Sequence, residues 1–450
     1  MTVFDRERLD PATFKLDVAR MREGWYSDKY FSNLVGLLLS LGQDGHAIDW
    51  SEETIHTYGP VSARDVGNTV VEMQIFTRRE PYAIIVGVDK SLAMLRQCTG
   101  YFTDDGVFVN TFDTLQVEAV HDGHFAKFGG NPQVVSPVLR VRGRYRDFAM
   151  LETPILGTLT RASRVATNVY ETLRAANGKT VLFFPARFDA HEVQAADGYA
   201  YSIAVQSFNQ RYTMDAGISV STDEQGSWWG GLGGGTVAHA AIASFLGDTP
   251  AVMMAFARER PIEIPRIALV DFHNDCVGES LRVMKRMFAE YRRCIDAGDE
   301  YGAEQFRLYA VRPDTSSALR DVSVAPLGDP RLDMGVVPRL VFNLRAAIDT
   351  AWEAWDLPEA WRDRARDWSQ HVKIVASGGF NPERIERFES LQVPVDIYAV
   401  GSYLLQNSNE DGTNTDFTAD LVRVKVDEAW RDVAKVGRSP GVNAALEVVS

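Results

Sequence analysis

Six short apolar runs in the second half of the chain constrain its fold more than any other feature. VLFFPA, GISVS, RIALVD, FRLYAV, VKIVAS and VDIYAV are each rich in Val, Ile, Leu or aromatic residues, and all but the last precede a stretch with helical periodicity. After RIALVD, for instance, Val277, Leu281, Met284, Phe288, Tyr291 and Cys294 recur at helical spacing, with Arg282, Lys285, Arg286 and Arg292 between them. Strands that alternate with helices pair in parallel, because each helix carries the chain back along the sheet. Such a sheet is either open and doubly wound or closed into a barrel.

The residues at the strand ends decide for the barrel. Arg187 follows VLFFPA, Ser221 and Thr222 follow GISV, Asp271 closes RIALVD, and Arg312 and Asp314 follow FRLYAV. The last two runs end in Ser377-Gly378-Gly379 and Gly401-Ser402. Barrel enzymes build their sites at the carboxyl ends of their strands and commonly bind phosphate on the loops after the final two. In KIVASGGFNPERI, Asn381 and Pro382 are good first residues for a helix, so free backbone amides are expected to face the loop. One glycine turn alone is more often just a tight turn; two at consecutive strand ends point to a shared phosphate site.

The first 150 residues read differently. TVVEMQIFT, YAIIVGV and VLRVRGRY look like strands, SLAMLRQC like a helix, and TDDG, HDGH and FGGNP like turns. A long amphipathic helix follows in LETPILGTLTRASRVATNVYETLRAANG, stopped by Asn177-Gly178. We therefore expect an α+β domain over residues 1–155, a β/α barrel over 156–435 and a tail over 436–450. With 61 acidic against 47 basic side chains the net charge is -14, which disfavours nucleic acid and anionic membranes as partners, so any phosphate must be held by a local site. The three cysteines stand far apart with no CxxC pair, against a zinc knuckle or a disulfide framework. MTVFDRERLD lacks the pattern of a signal peptide and NLVGLLLSLG is too short to span a bilayer, so the expected compartment is the cytoplasm.

The strings YSDKYF, ETPIL, ARFDAHE, STDEQG, GGTVAHA, LVDFHND, VRPDTSS, ASGGF and AVGSYL, in this order, resemble the nicotinate phosphoribosyltransferase family, and its shorter, archaeal-like branch most. The resemblance covers most of the chain. It implies the irregular β/α barrel of type II phosphoribosyltransferases, an N-terminal α+β domain of sandwich type, and a homodimer with shared active sites. It also implies the chemistry: nicotinate and phosphoribosyl pyrophosphate give nicotinate mononucleotide and pyrophosphate, with Mg²⁺ and commonly with ATP hydrolysis, as a step of NAD biosynthesis. By that resemblance Asp314 grips the ribose, His239 is phosphorylated by ATP, and Phe184 and the partner's copy of Tyr30 sandwich the pyridine ring.

The chemistry of these residue types suits the same roles. Displacement at the anomeric carbon develops positive charge on the sugar, which a carboxylate at Asp314 would stabilise. Arg312, two residues earlier, points to the same strand face and suits the base's carboxylate or a phosphate. Arg187, Ser221 and Thr222 are the further candidates for holding the base. Asp271 is positioned to orient His239 or to contact Mg²⁺ directly or through water. The chain departs from the family in having Arg187-Phe188 where two arginines are usual, and Arg312-Pro-Asp-Thr-Ser-Ser where Arg-x-Asp-Ser-Gly-Asp is usual. A quinolinate phosphoribosyltransferase is the rival within the fold, but a dicarboxylate asks for more Lys and Arg than these strand ends offer. A phosphate-binding barrel aldolase or isomerase would share the glycine loops yet needs a lysine or base at a strand end, and no such lysine is present there.

Overall fold

The computed structural model describes residues 7–43, 47–59 and 61–449, which form two compact units. The opening six residues, on which the expectation about a leader partly rests, lie outside the described residues. One unit comprises the described residues within Met1–Tyr170, Tyr199–Ser207 and Gln406–Ser450; the other comprises Glu171–Gly198 and Phe208–Leu405. This division differs from the expected one at its C-terminal end. Residues 406–449 are neither the end of the barrel domain nor a loose tail, because they complete the sheet of the first unit.

That sheet is antiparallel and six-stranded, in the order Ala429–Asp432, Phe417–Val426, Val70–Thr77, Leu139–Arg144, Gln116–Ala119, Glu447–Val448. In Val70–Thr77 the alternation sends Val71, Met73 and Ile75 into the apolar core, where they meet Val117, Val141, Leu92 and Leu159. On the opposite face Glu72 stands directly across from Arg142 on one neighbour and Arg423 on the other, and binds them at 2.7 and 3.2 Å. The carboxylate is almost fully buried, so this cross-strand pairing is what makes its burial tolerable. Gln74, next on that face, donates to the Ser439 carbonyl and accepts from the Gly441 amide, which ties down the segment expected to be a tail.

The long helix falls at Glu152–Ala175, with Asn177 and Gly178 both at positive φ just beyond it, as the Asn-Gly pair foretells. Cys98, Cys276 and Cys294 are free and buried. Among the described residues no helix is long and apolar enough to cross a membrane.

The second unit holds five parallel strands: β1 (Thr180–Phe183), β2 (Ile267–Leu269), β3 (Ala310–Arg312), β4 (Lys373–Ala376) and β5 (Ile397–Val400). Their order is β1-β5-β4-β3-β2. Pairing of the first strand with the last is how a sheet of consecutive strands closes, and Leu182, Ile267, Ala310, Val375, Ile397 and Ala399, drawn from all five, pack into one cluster. On the far side of β1 the wall continues only as isolated bridges, Phe183 to Val220 and Val220 to Gly233, so the barrel is irregular.

Two strand expectations are thereby shortened. GISVS contributes the single bridging residue Val220. FRLYAV begins its strand only at Ala310, because Phe306 closes the helix Glu300–Gln305. The helix after β2, α1 (Cys276–Asp296), buries Val283 and Met287 together with Met284, Phe288, Tyr291 and Cys294, whereas Val277 and Leu281 sit at the margin of that face.

Candidate active site

A cavity of about 490 Å³ opens in the second unit where the carboxyl ends of β1, β3, β4 and β5 converge. After β1 it is lined by Phe184, Arg187 and Phe188. Strand alternation buries Phe183 completely and turns Phe184 the other way, against the inner cluster and the cavity. The Arg187 guanidinium lies over the Phe188 ring at 5.3 Å, so the residue that departs from the expected second arginine serves as a platform for the first. Gly401, after β5, accommodates that ring: a Cβ there would fall 2.7 Å from Phe188 Cε2.

Ser221 and Thr222 also line the cavity, but their hydroxyl hydrogens are committed. Ser221 Oγ donates to Gln225 Oε1 at 3.1 Å, and Thr222 Oγ1 donates to Gln194 Oε1 at 2.9 Å while capping the short helix Asp223–Gly226. They can accept from a ligand more readily than donate to it. Donors for an anion must therefore come from elsewhere, and the arginines are the groups placed to give them.

Arg312 ends β3. Its side chain is 12% exposed; Nη2 donates to the Val237 carbonyl at 3.3 Å and Nη1 lies 3.8 Å from Asp314 Oδ2. Among the described residues its buried Nε–H has no acceptor, and burial lowers the guanidinium's pKa from its ordinary value. A buried cation with a spare donor at the wall of a cavity is suited to an anionic ligand. Asp314 faces the next strand end, where Ser377 Oγ donates to its Oδ1 at 2.9 Å.

Gly378 and Gly379 follow at φ +96° and +73°, a backbone that L side chains rarely adopt, and a Cβ on Gly378 would come within 3.3 Å of Asp314 Oδ1. Asn381 caps the next helix, α2 (Pro382–Ser390), accepting the Arg384 amide at 2.9 Å. Ser402, beside Gly401, completes the rim at β5.

His239 opens the short helix His239–Ser244, directly after a loop that contributes Gly234, Gly235, Thr236, Val237 and Ala238 to the wall. Its Nε2 lies 3.0 and 3.1 Å from the two oxygens of Asp271, whose side chain is only 9% exposed. Burial pushes the Asp271 carboxyl above its ordinary range, while the facing imidazole pulls it back. A carboxylate that accepts the Nε2 hydrogen leaves the lone pair on Nδ1. Asp271 itself stands behind His239 and does not line the cavity.

The residues chosen from the sequence thus gather at one place, with Tyr30 the exception. It lies in the other unit, on the helix Lys29–Gln43, 62% exposed and hydrogen-bonded to Asp28. Phe188, Thr236, Val237 and Phe380 also line the cavity, although the sequence assigned none of them a binding role. All four fall inside strings already quoted, Phe188 in ARFDAHE, Thr236 and Val237 in GGTVAHA and Phe380 in ASGGF, but in the sequence nothing marks them as facing a cavity.

Residues 54–163 match the family described as quinolinate phosphoribosyl transferase, N-terminal domain. Among curated proteins none matches the chain by sequence. Among solved structures, the nicotinate-nucleotide pyrophosphorylase from Pyrococcus furiosus is similar with a TM-score of 0.60 and 23% identity, covering 96% of this chain and 84% of that one. Human nicotinic acid phosphoribosyltransferase is similar with a TM-score of 0.50 and 17% identity, covering 79% of this chain and 71% of that one. Identities this low speak to architecture, and the family match speaks to the N-terminal region. The chain carries the α/β fold of the type II phosphoribosyltransferases.

Proposed function

We propose that the protein is a nicotinate phosphoribosyltransferase, transferring the phosphoribosyl group of phosphoribosyl pyrophosphate to nicotinate and releasing pyrophosphate. The observation that carries this reading is the meeting of Arg312 and Asp314 with the left-handed glycine pair of the next strand in a single cavity. The glycine amides suit the 5'-phosphate, the Asp314 carboxylate suits the ribose hydroxyls and the positive charge that develops on the sugar, and the arginines suit the base's carboxylate. Phe184 offers the ring one aromatic face. In a homodimer the exposed Tyr30 of the partner subunit would offer the other.

Mg²⁺ fits this donor set as an ion held mainly by pyrophosphate oxygens and water. Among the described residues no cluster of three or more His, Cys, Asp or Glu is arranged to cage a metal, and Asp314 and Asp271 are the carboxylates at hand. The ion would neutralise charge on the departing pyrophosphate. His239, with Nε2 engaged by Asp271, has Nδ1 left to take a phosphoryl group from ATP.

The match of residues 54–163 favours quinolinate as a second reading. Among the described residues lining the cavity, the only Lys or Arg side chains are Arg187 and Arg312, which suits a monocarboxylate plus a phosphate better than a dicarboxylate plus a phosphate. Incubating the protein with phosphoribosyl pyrophosphate, Mg²⁺ and each base in turn tests the assignment. Nicotinate should release pyrophosphate; pyrophosphate and carbon dioxide formed together from quinolinate, with no pyrophosphate formed from nicotinate, would refute it.

A further inference from the structure

The glycine pair after β4 is gripped from behind by one side chain. Arg384, in the first turn of α2, donates from Nη1 to the carbonyls of Gly378 at 2.5 Å and Gly379 at 3.2 Å, and from Nη2 to the Val336 carbonyl at 2.7 Å. Its guanidinium lies over the Phe380 ring at 4.2 Å. In a trans peptide the carbonyl and the following N–H point in opposite directions. Holding the carbonyls of Gly378 and Gly379 therefore aims the N–H groups of Gly379 and Phe380 away from Arg384. Gly378, Gly379 and Phe380 line the main cavity and Arg384 does not. Among the described residues, no acceptor takes the N–H of any of these three. Glycine has the widest conformational choice of any residue, so two in succession need an outside agent to hold one conformation.

We propose that Arg384 is the positioning residue of the phosphate loop, fixing the Gly378–Gly379 turn so that its amides are presented to the ribose 5'-phosphate before substrate arrives. This rests on the reading that the turn cradles that phosphate. A single ammonium cannot replace the arrangement, because the planar guanidinium spans three carbonyls from two loops. A second cavity, of about 400 Å³ and lined by Gly378, Val336, Arg384 and Arg387, opens onto the rear of the loop. A small cation can therefore reach the place of the guanidinium from that side.

The test compares Arg384→Ala, Arg384→Lys and Gly379→Val in the full-length protein, measuring KM for phosphoribosyl pyrophosphate, KM for nicotinate, kcat and Tm. Arg384→Ala should raise KM for phosphoribosyl pyrophosphate about tenfold or more, the scale of losing hydrogen bonds from a charged donor, with little change in KM for nicotinate. Guanidinium ion at low, non-denaturing concentration should restore much of the loss, and Arg384→Lys should lie between. If Gly379→Val and Arg384→Ala both bind phosphoribosyl pyrophosphate normally, the phosphate-loop reading itself fails and takes this proposal with it. If Gly379→Val weakens binding and Arg384→Ala does not, the proposal alone is overturned. A lowered Tm with unchanged KM in the folded fraction overturns it as well, by showing a purely structural role. Should Arg384→Ala not fold, Arg384→Lys decides: a selective rise in KM for phosphoribosyl pyrophosphate supports the proposal and an unchanged one ends it.

Discussion

Alanine at Gly378 and alanine at Gly379 form a matched pair that separates backbone strain from disturbance of Asp314. Both positions are left-handed, at φ +96° and +73°, so each alanine carries a conformational cost of about 1–2 kcal/mol. Their surroundings differ. The Cβ of Gly378→Ala meets Asp314 Oδ1 at 3.3 Å, whereas that of Gly379→Ala meets only Arg384 Nη1, at 3.7 Å, an ordinary contact. The first contact is tight enough that Asp314 must give way by a few tenths of an ångström, straining the 2.9 Å hydrogen bond from Ser377. Since about 1 Å of misplacement of a reacting group costs on the order of 10²-fold, a shift of this size should lower kcat by roughly threefold to tenfold. Steady-state kinetics and thermal melts on the two variants provide the assay. Tm should fall by similar small amounts in both, and kcat should fall further in Gly378→Ala. Equal kcat values in the two variants would refute the idea that the loop and Asp314 are packed as a unit.

Three further outcomes are expected. Asp314→Asn keeps the side chain's volume and removes its charge, so kcat should drop by at least about a hundredfold while Tm changes little; unchanged turnover would remove Asp314 from the chemistry. His239→Asn should abolish an acid-labile, base-stable label from ATP and the ATP stimulation of synthesis, yet leave ATP-independent synthesis; stimulation that survives in the folded variant would end the phosphohistidine reading. Burial, helped by the charges of Asp420 and Asp28, pushes the Glu152 carboxyl up to about 7. The folded protein thus binds this proton more tightly than the unfolded chain. The stabilisation is full below the unfolded value of about 4.3 and is lost as pH rises through about 7, so Glu152→Gln should gain Tm over the parent progressively across that window. A difference in Tm that does not vary with pH would contradict this.

Local spacing along the chain already records part of this fold. Apolar runs such as VLFFPA and VKIVAS report burial on both faces of a strand, Asn177-Gly178 reports a helix stop through its backbone preference, and Gly378-Gly379 reports a turn that only glycine makes cheaply. Read at strand ends, Arg312, Asp314, Ser377 and Gly401 were legible as one site, because a parallel barrel brings the ends of all its strands to one mouth. The pairing of Phe417–Val426 with Val70–Thr77 was not legible, since the Glu72–Arg423 contact joins residues from opposite ends of the chain and leaves no trace in any local window. Nor was the reduction of GISVS to one bridging residue, or the grip of Arg384 on the loop glycines: in the sequence that arginine is one more polar residue on a helix. Tertiary structure decided these because cross-strand register and side-chain reach depend on how distant segments are brought together, and periodicity along the chain measures only which side of a segment is buried.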